Sequence, residues 1–332
     1  MESVQHIKSH LGSVKSIGQI TKAMEVVSAT KMRRAQGNAL ASRDYAFAAL
    51  AALTDLLRYA PEHLLEQSEL VGPRHPMLRD PKHRVSESTT LVVLVASDRG
   101  LAGAFNASVG RACDAFFASD SEDSPPTGGE TSSRQYKFVI VGKKLAPYAA
   151  RKGYPVEMMF TGFGDVASTE EVAPLSELVV NGYKEGKWNR VVVISTHFKT
   201  TLNQFTVTRE VLPMNIEQIR ETVREVVPEQ GRFSEYRKNY ELGIMNNEKG
   251  TEYLFEPNPK DVLDILLPHL LNMQMLHLVL EANASEHSAR MVAMKNASEN
   301  SKELAEDLER VYNRVRQALI TKEMIEITSG TI

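Results

Sequence analysis

Residues 261–328 contain no glycine and a single proline, Pro268. No other feature of the chain restricts its fold as much, because a stretch of that length without a breaker is read as continuous helix. Within it Leu304, Leu308, Val311, Val315 and Ala318 alternate at steps of four and three, the spacing of a coiled-coil seam. The other end of the chain repeats the theme. No proline occurs from Ser3 to Ala60, and only Gly12, Gly18 and Gly37 interrupt good helix formers. Ile7, Leu11, Val14, Ile17, Ile20, Met24 and Val27 fall at steps of three or four and predict one apolar stripe. At 1.5 Å per residue a helix reaching residue 60 would run on the order of 80 Å, longer than a compact domain is wide. Pro61 offers it an end. Two striped helices at opposite ends of one chain bury their stripes by pairing antiparallel.

The middle of the chain follows another rule. Strands are expected at 90–97, 137–142, 190–197 and roughly 203–212, with helices at about 104–118, 143–152 and 170–186. Strands alternating with helices predict a parallel, doubly wound sheet. The fold class expected is therefore α/β: a central Rossmann-like domain, with long N- and C-terminal helices forming an antiparallel coiled coil. The boundaries are residues 1–60 for the N-terminal helix, 61–89 for a connection, 90–258 for the α/β domain and 259–332 for the C-terminal helix. Residues 119–134, SDSEDSPPTGGETSSR, have no periodicity and read as a mobile loop. Residues 66–88 are polar, with three prolines and two histidines, and read as an insertion in the connection.

Composition excludes several classes of function. A formal net charge of −3 supplies no global basic field for nucleic acid. The longest uninterrupted apolar runs, such as LVVLVA at 91–96, are too short to cross a bilayer, so no direct membrane insertion is expected. The first residues lack the apolar core of a signal peptide and the Arg-rich look of a transit peptide. The single cysteine, Cys113, forms no internal disulfide and no CxxC pair, and has no base beside it in sequence. The nine histidines include no HExxH and no Cys/His ligand cluster. His269 and His277 read as packed or exposed rather than metal-bound. There is no G-x-S-x-G elbow, and Glu170 and Glu171 read as helix-start charges.

One stretch raises the question of a nucleotide. SDRGLAGAFN (97–106) follows a strand and opens a helix, the layout of a phosphate cradle. Its glycines, Gly100, Gly103 and Gly110, miss the G-x-G-x-x-G spacing, and GKK at 142–144 lacks the Ser or Thr and the earlier glycine of a P-loop. Gly100 and Gly103 read instead as a tight strand-to-helix turn, with Asp98 and Arg99 hydrogen-bonding nearby. No cofactor, metal or catalytic residue is expected.

Five stretches carry a family likeness. GQITKAMEVVSATKMRRAQ (18–36), SDRGLAGAFN (97–106), YLFEPNPKDVLDILLPHLL (253–271), ASEHSARMVAMKNASENS (284–301) and YNRVRQALITKEMIEITSG (312–330) resemble, in chain order, the gamma subunits of F-type ATP synthases. The resemblance implies a non-catalytic central rotor stalk. Its coiled coil would stand inside a ring of three alpha and three beta subunits, with the α/β domain beside the epsilon subunit and on the membrane c-ring. It would carry torque between that ring and the catalytic hexamer, coupling proton or sodium flow to ATP synthesis or hydrolysis. The implied place is the cytoplasmic face of a bacterial inner membrane, with the mitochondrial matrix side as the alternative.

The resemblance also implies partner contacts. Arg316, Gln317, Thr321 and Glu323 occupy positions that meet the beta subunits' catch loops, and Arg316 is suited to charge-assisted bonds. Met24, with Lys22 and Lys31, lies where the family meets an acidic lever segment of beta. Lys8, Lys15 and Lys22 recur every seven residues, and the row reads equally as a solvated helix face. Position 102 is Ala and 104 is Ala, where the family often has Cys and Gly. The inserted regulatory cysteine pair of the chloroplast version has no counterpart beside a lone Cys113. The 119–134 loop is a candidate contact for a stator or an inhibitory partner. Two rival readings remain: a nucleotide-dependent enzyme, which would bind ATP or NAD by itself, and a coiled-coil tether, which has no need of the 312–330 motif.

Overall fold

A computed structural model describes residues 4–41, 70, 89–122, 135–163, 167–214, 256 and 258–330 of the 332-residue chain. Most of the 66–88 connection, the 123–134 part of the expected loop, and the N-terminal helix beyond residue 41 lie outside these residues. In chain order the elements are α1 (Val4–Ala41), β1 (Thr89–Val95), α2 (Phe105–Glu122), β2 (Gln135–Val141), a 3-10 turn (Lys143–Leu145), α3 (Ala146–Lys152), β3 (Val156–Phe160), α4 (Thr169–Lys184), β4 (Arg190–Phe198), β5 (Gln204–Leu212) and α5 (Pro259–Ser329). Two compact units result. One holds residues 1–30, 101–103 and 287–332; the other holds residues 31–100 and 104–286.

The larger unit is a five-stranded sheet in the order β3-β2-β1-β4-β5. The first four strands are parallel, as expected, but β5 runs antiparallel to β4. Residues 199–203 are too few for the crossover that a parallel pair requires, so a hairpin is the only connection open to them. The edge strand β3 was not expected from the sequence. Its residues Val156, Glu157, Met158 and Met159 are all exposed and so carry no buried apolar signature.

Beta-branched and leucine runs in β1, β2 and β4 are buried on both faces, as a covered parallel sheet demands. Val92, Leu94, Phe138, Ile140, Val192 and Ile194 meet Val109, Cys113, Phe116, Leu145 and Ala149 on one face. Burial pushes the Cys113 thiol up to about 11, so it behaves as a small apolar side chain. Ser168 and Glu171 form a reciprocal capping box at the start of α4, which gives Glu171 the helix-start role expected of it. Trp188 donates its indole N–H to Val179 O at 3.1 Å and lies against Gly182, where a Cβ would enter the ring.

Helix α5 is 71 residues long. Asn258 caps it, accepting the Asp261 N–H at 2.9 Å, and Pro259 fills the first turn, where its missing N–H costs nothing. The helix contains an 18-residue stretch apolar enough to cross a bilayer by length and composition. Counting uninterrupted apolar runs misses that stretch. Its apolar side chains build the core: Leu263, Leu267, Leu270, Leu271, Met275, Leu278 and Val279 are buried.

In the smaller unit, α1 and α5 pair antiparallel. Lys15 Nζ lies 3.2 Å from Glu309 Oε2, and the Ser298 hydroxyl donates to Gly18 O at 3.4 Å. The seam differs from the apolar stripe. Ile7, Leu11 and Val14 face inward as expected, but Ile17, Ile20 and Val27 are each at least half exposed. Gly18, Thr21, Glu25 and Ser28 take the inward places, which keeps strict four-and-three spacing from Ile7 to Ser28. On α5 the inward residues are Ser301, Ala305, Leu308, Tyr312 and Val315, so Leu304 and Val311 of the expected seam are displaced by one position and Ala318 is exposed. Small residues explain the shift. A Cβ on Gly18 would sit 3.3 Å from Ser301 Cβ, an approach that larger side chains would prevent.

Candidate functional site

The SDRGLAGAFN turn is a fastening. Asp98 accepts the backbone N–H of Lys143 at 3.0 Å and of Gly162 at 2.7 Å, tying together the loops that leave β2 and β3. Ser97 shares hydrogen bonds with the Asn106 side chain at 2.8–3.0 Å and gives its hydroxyl proton to Arg99 O at 2.7 Å. The left-handed positions of the turn are Leu101 (φ 64°) and Gly103 (φ 56°); of the two glycines expected to make it, only Gly103 has a positive φ. Asp98 performs the local hydrogen bonding assigned to it from sequence.

In open α/β sheets ligands settle beyond the carboxyl ends of the strands where the strand order reverses, here between β1 and β4. At the β4 end that space holds part of α5. Ser285 donates its hydroxyl proton to Thr196 O at 3.3 Å, and Glu281 reaches His197 Nδ1 at 2.9 Å. The second carboxylate oxygen of Glu281 lies 3.1 Å from His277 Nε2, and Arg209 of β5 stands 3.8 Å from the oxygen that meets His197. Burial works to raise the Glu281 pKa. The positive field of His277, with the hydrogen bonds and charge of His197, outweighs it and holds the carboxyl well below its ordinary 4.5. Sequence reading singled out His277 but missed this cluster. The His277–Glu281 spacing of one helical turn was a usable signal; His197 and Arg209 are joined to it only by the sheet.

The residues implied by family resemblance occupy two levels of the coiled coil. Arg316, Gln317, Thr321 and Glu323 lie on the last turns of α5, where every residue from 316 to 330 is exposed. Gln317 and Thr321 share a face, with the threonine hydroxyl donating to Gln317 O at 2.9 Å. Arg316 lies over the Tyr312 ring, 6.0 Å from its centroid. Exposed apolar side chains accompany them, among them Ile320, Met324, Ile325 and Ile327. Met24 is half-buried on α1, and the antiparallel register sets it against α5 near residues 295–300. That level is on the order of 30 Å along the axis from Arg316. Lys22 bonds Glu25 of its own helix at 2.9 Å, and Lys31 lies further along α1. The two groups therefore form separate surfaces.

Comparison with known proteins fits this architecture. A family profile described as ATP synthase matches residues 3–331. The "ATP synthase gamma chain" of Herpetosiphon aurantiacus is 35% identical over 99% of this chain and 98% of its own length. That of Roseiflexus sp. is 36% identical over the same shares, and that of Cytophaga hutchinsonii 33%. Among solved structures, a chain of the Euglena gracilis mitochondrial ATP synthase in an OSCP/F1/c-ring assembly matches with a TM-score of 0.58 at 15% identity, covering 99% of this chain and 93% of that one. A chain of the Tetrahymena thermophila central stalk and c-ring matches with a TM-score of 0.53 at 20% identity, covering 84% and 99%. The structural matches carry the fold, and the sequence matches carry the kinship: the chain belongs to the gamma-chain family of ATP synthases.

Proposed function

We propose that this chain is the central rotor stalk of an F-type ATP synthase and itself performs no catalysis. It carries torque between a membrane c-ring and a catalytic ring of three alpha and three beta subunits, coupling proton or sodium flow to ATP synthesis and hydrolysis. The complex is peripheral to the membrane, on the cytoplasmic face of a bacterial inner membrane, with an epsilon subunit beside the α/β unit. The observation that carries this reading is the last stretch of α5. One 71-residue helix leaves the sheet, pairs with α1, and continues past residue 315 with every side chain exposed. Isoleucine and methionine recur along it, and a surface of that kind is built to be covered. Arg316, Gln317, Thr321 and Glu323 supply polar contacts to the beta catch loops. Met24, Lys22 and Lys31 supply a second set toward an acidic segment of beta.

The test is reconstitution with purified alpha and beta subunits. An active ATPase with one copy of this chain per three alpha–beta pairs is the expected result. Failure to associate, with ATP bound by the chain alone, would overturn the reading. Within the active complex, replacing Arg316 and Gln317 by alanine should reduce coupling about tenfold, and unchanged coupling and assembly would remove the catch contacts while leaving the rotor.

A further inference from the structure

The Glu281 cluster has no part in the contacts proposed above, and its chemistry is unusual for a helix–sheet packing layer. Glu281 is 7% exposed and His277 8%, where the buried leucine, methionine and valine face of α5 gives way to buried polar side chains, among them Ser285, Glu286 and His287. Both carboxylate oxygens are taken by imidazole nitrogens, with Arg209 beyond. A buried ionic group of this kind is seldom the most stable choice, since well-packed apolar residues of equal volume usually serve stability as well or better. What directional bonds supply, and apolar contact does not, is a fixed register. A leucine face resists separation of helix from sheet but yields to rotation about the helix axis. A carboxylate bonded to β4 and flanked by β5 resists that rotation, because turning the helix withdraws Glu281 from His197 and leaves one buried carboxylate oxygen unbonded, while His277 turns with its own helix.

The position gives this a use. Residues 277–285 hold the sheet through Glu281 and Ser285, and the same helix continues unbroken to Ser329. Resting on the rotor reading, we propose that Glu281, held by His197 and His277, is a torsional anchor: it keys α5 to the sheet so that torque in the shaft reaches the α/β unit without slip. Glu281 and His197 are thus positioning residues for energy coupling, remote from the nucleotides.

The test uses the whole membrane-bound synthase carrying Glu281→Met, His197→Ala or His197→Asn, and measures ATP hydrolysis and ATP-driven ion pumping in the same vesicles. Glu281→Met replaces the charge by an apolar side chain of similar volume, so folding and assembly should survive. Hydrolysis should stay within about twofold of wild type while the pumping-to-hydrolysis ratio falls at least about fivefold. His197→Ala should lower the ratio in the same direction. His197→Asn, whose amide N–H can stand in for Nδ1, should restore most of it, which a loss of bulk packing would not allow. An unchanged ratio in assembled Glu281→Met, or equal effects of His197→Ala and His197→Asn, would overturn the anchor. Should Glu281→Met not assemble, the alanine–asparagine pair decides. Failure of the wild-type chain to assemble would refute the rotor reading itself and is therefore distinguishable.

Discussion

Glu281 illustrates how one side chain links burial, charge and pH. Its folded pKa is depressed, so it contributes stability above its unfolded value of 4.5 and loses that contribution as pH falls below it. Acid unfolding of the chain should therefore steepen below about pH 4.5, and Glu281→Gln should flatten that limb; identical acid limbs in the two proteins would contradict the assignment. Gly142 makes a different demand. Its φ is +93°, and a Cβ would collide with Ala96 O, backbone that cannot step aside. Gly142→Ala should cost about 2–4 kcal/mol in urea unfolding, through combined strain and collision. At this scale the sequence was partly legible. Asp98 announced its local bonding through loop position and Glu171 its place at a helix start, while the reciprocal bonds with Ser168 were not read. Gly142 was visible only as part of an imperfect P-loop, because its constraint comes from Ala96 and Ser97 just after β1, more than forty residues earlier.

Elements were easier to read than their faces. Long breaker-free stretches gave both terminal helices, and apolar runs gave four of the five strands. The seam was misread where it is least apolar: Gly18 meets Ser298 and Ser301 of α5, Thr21 and Ser28 are partly or fully buried, and Ile17 and Ile20 are exposed. Periodicity of apolar residues cannot separate a face turned toward the partner helix from one turned toward something else. The seam predicts a graded response at position 18. Gly18→Ala should fall within about 1 kcal/mol of wild type, as better helix propensity offsets crowding at 3.3 Å from Ser301. Gly18→Leu should lose more than about 2 kcal/mol by wedging the helices apart. Thermal unfolding followed at the helical band compares them. Loss of the α4 cap in Ser168→Ala should cost about 1 kcal/mol in the same assay.

At the scale of the molecule, stability and function draw on different parts. The sheet with its covering helices is a conventional core, whereas the shaft ends in a segment that nothing in the described residues covers. Helix formation is cooperative, and an isolated stretch of about fifteen residues is marginal in water. Hydrogen exchange should find amides 316–330 open in the free chain and protected after assembly; equal protection in both states would show that the tip needs no sleeve. A consequence follows for how the protein must be made. An unassembled copy carries Ile320, Met324, Ile325 and Ile327 into solution on one helix end. Its shelf life outside the complex is then governed by self-association of that strip, so supply must match demand: a cell making this chain in excess over its ring subunits would accumulate aggregates rather than a reserve of spare shafts.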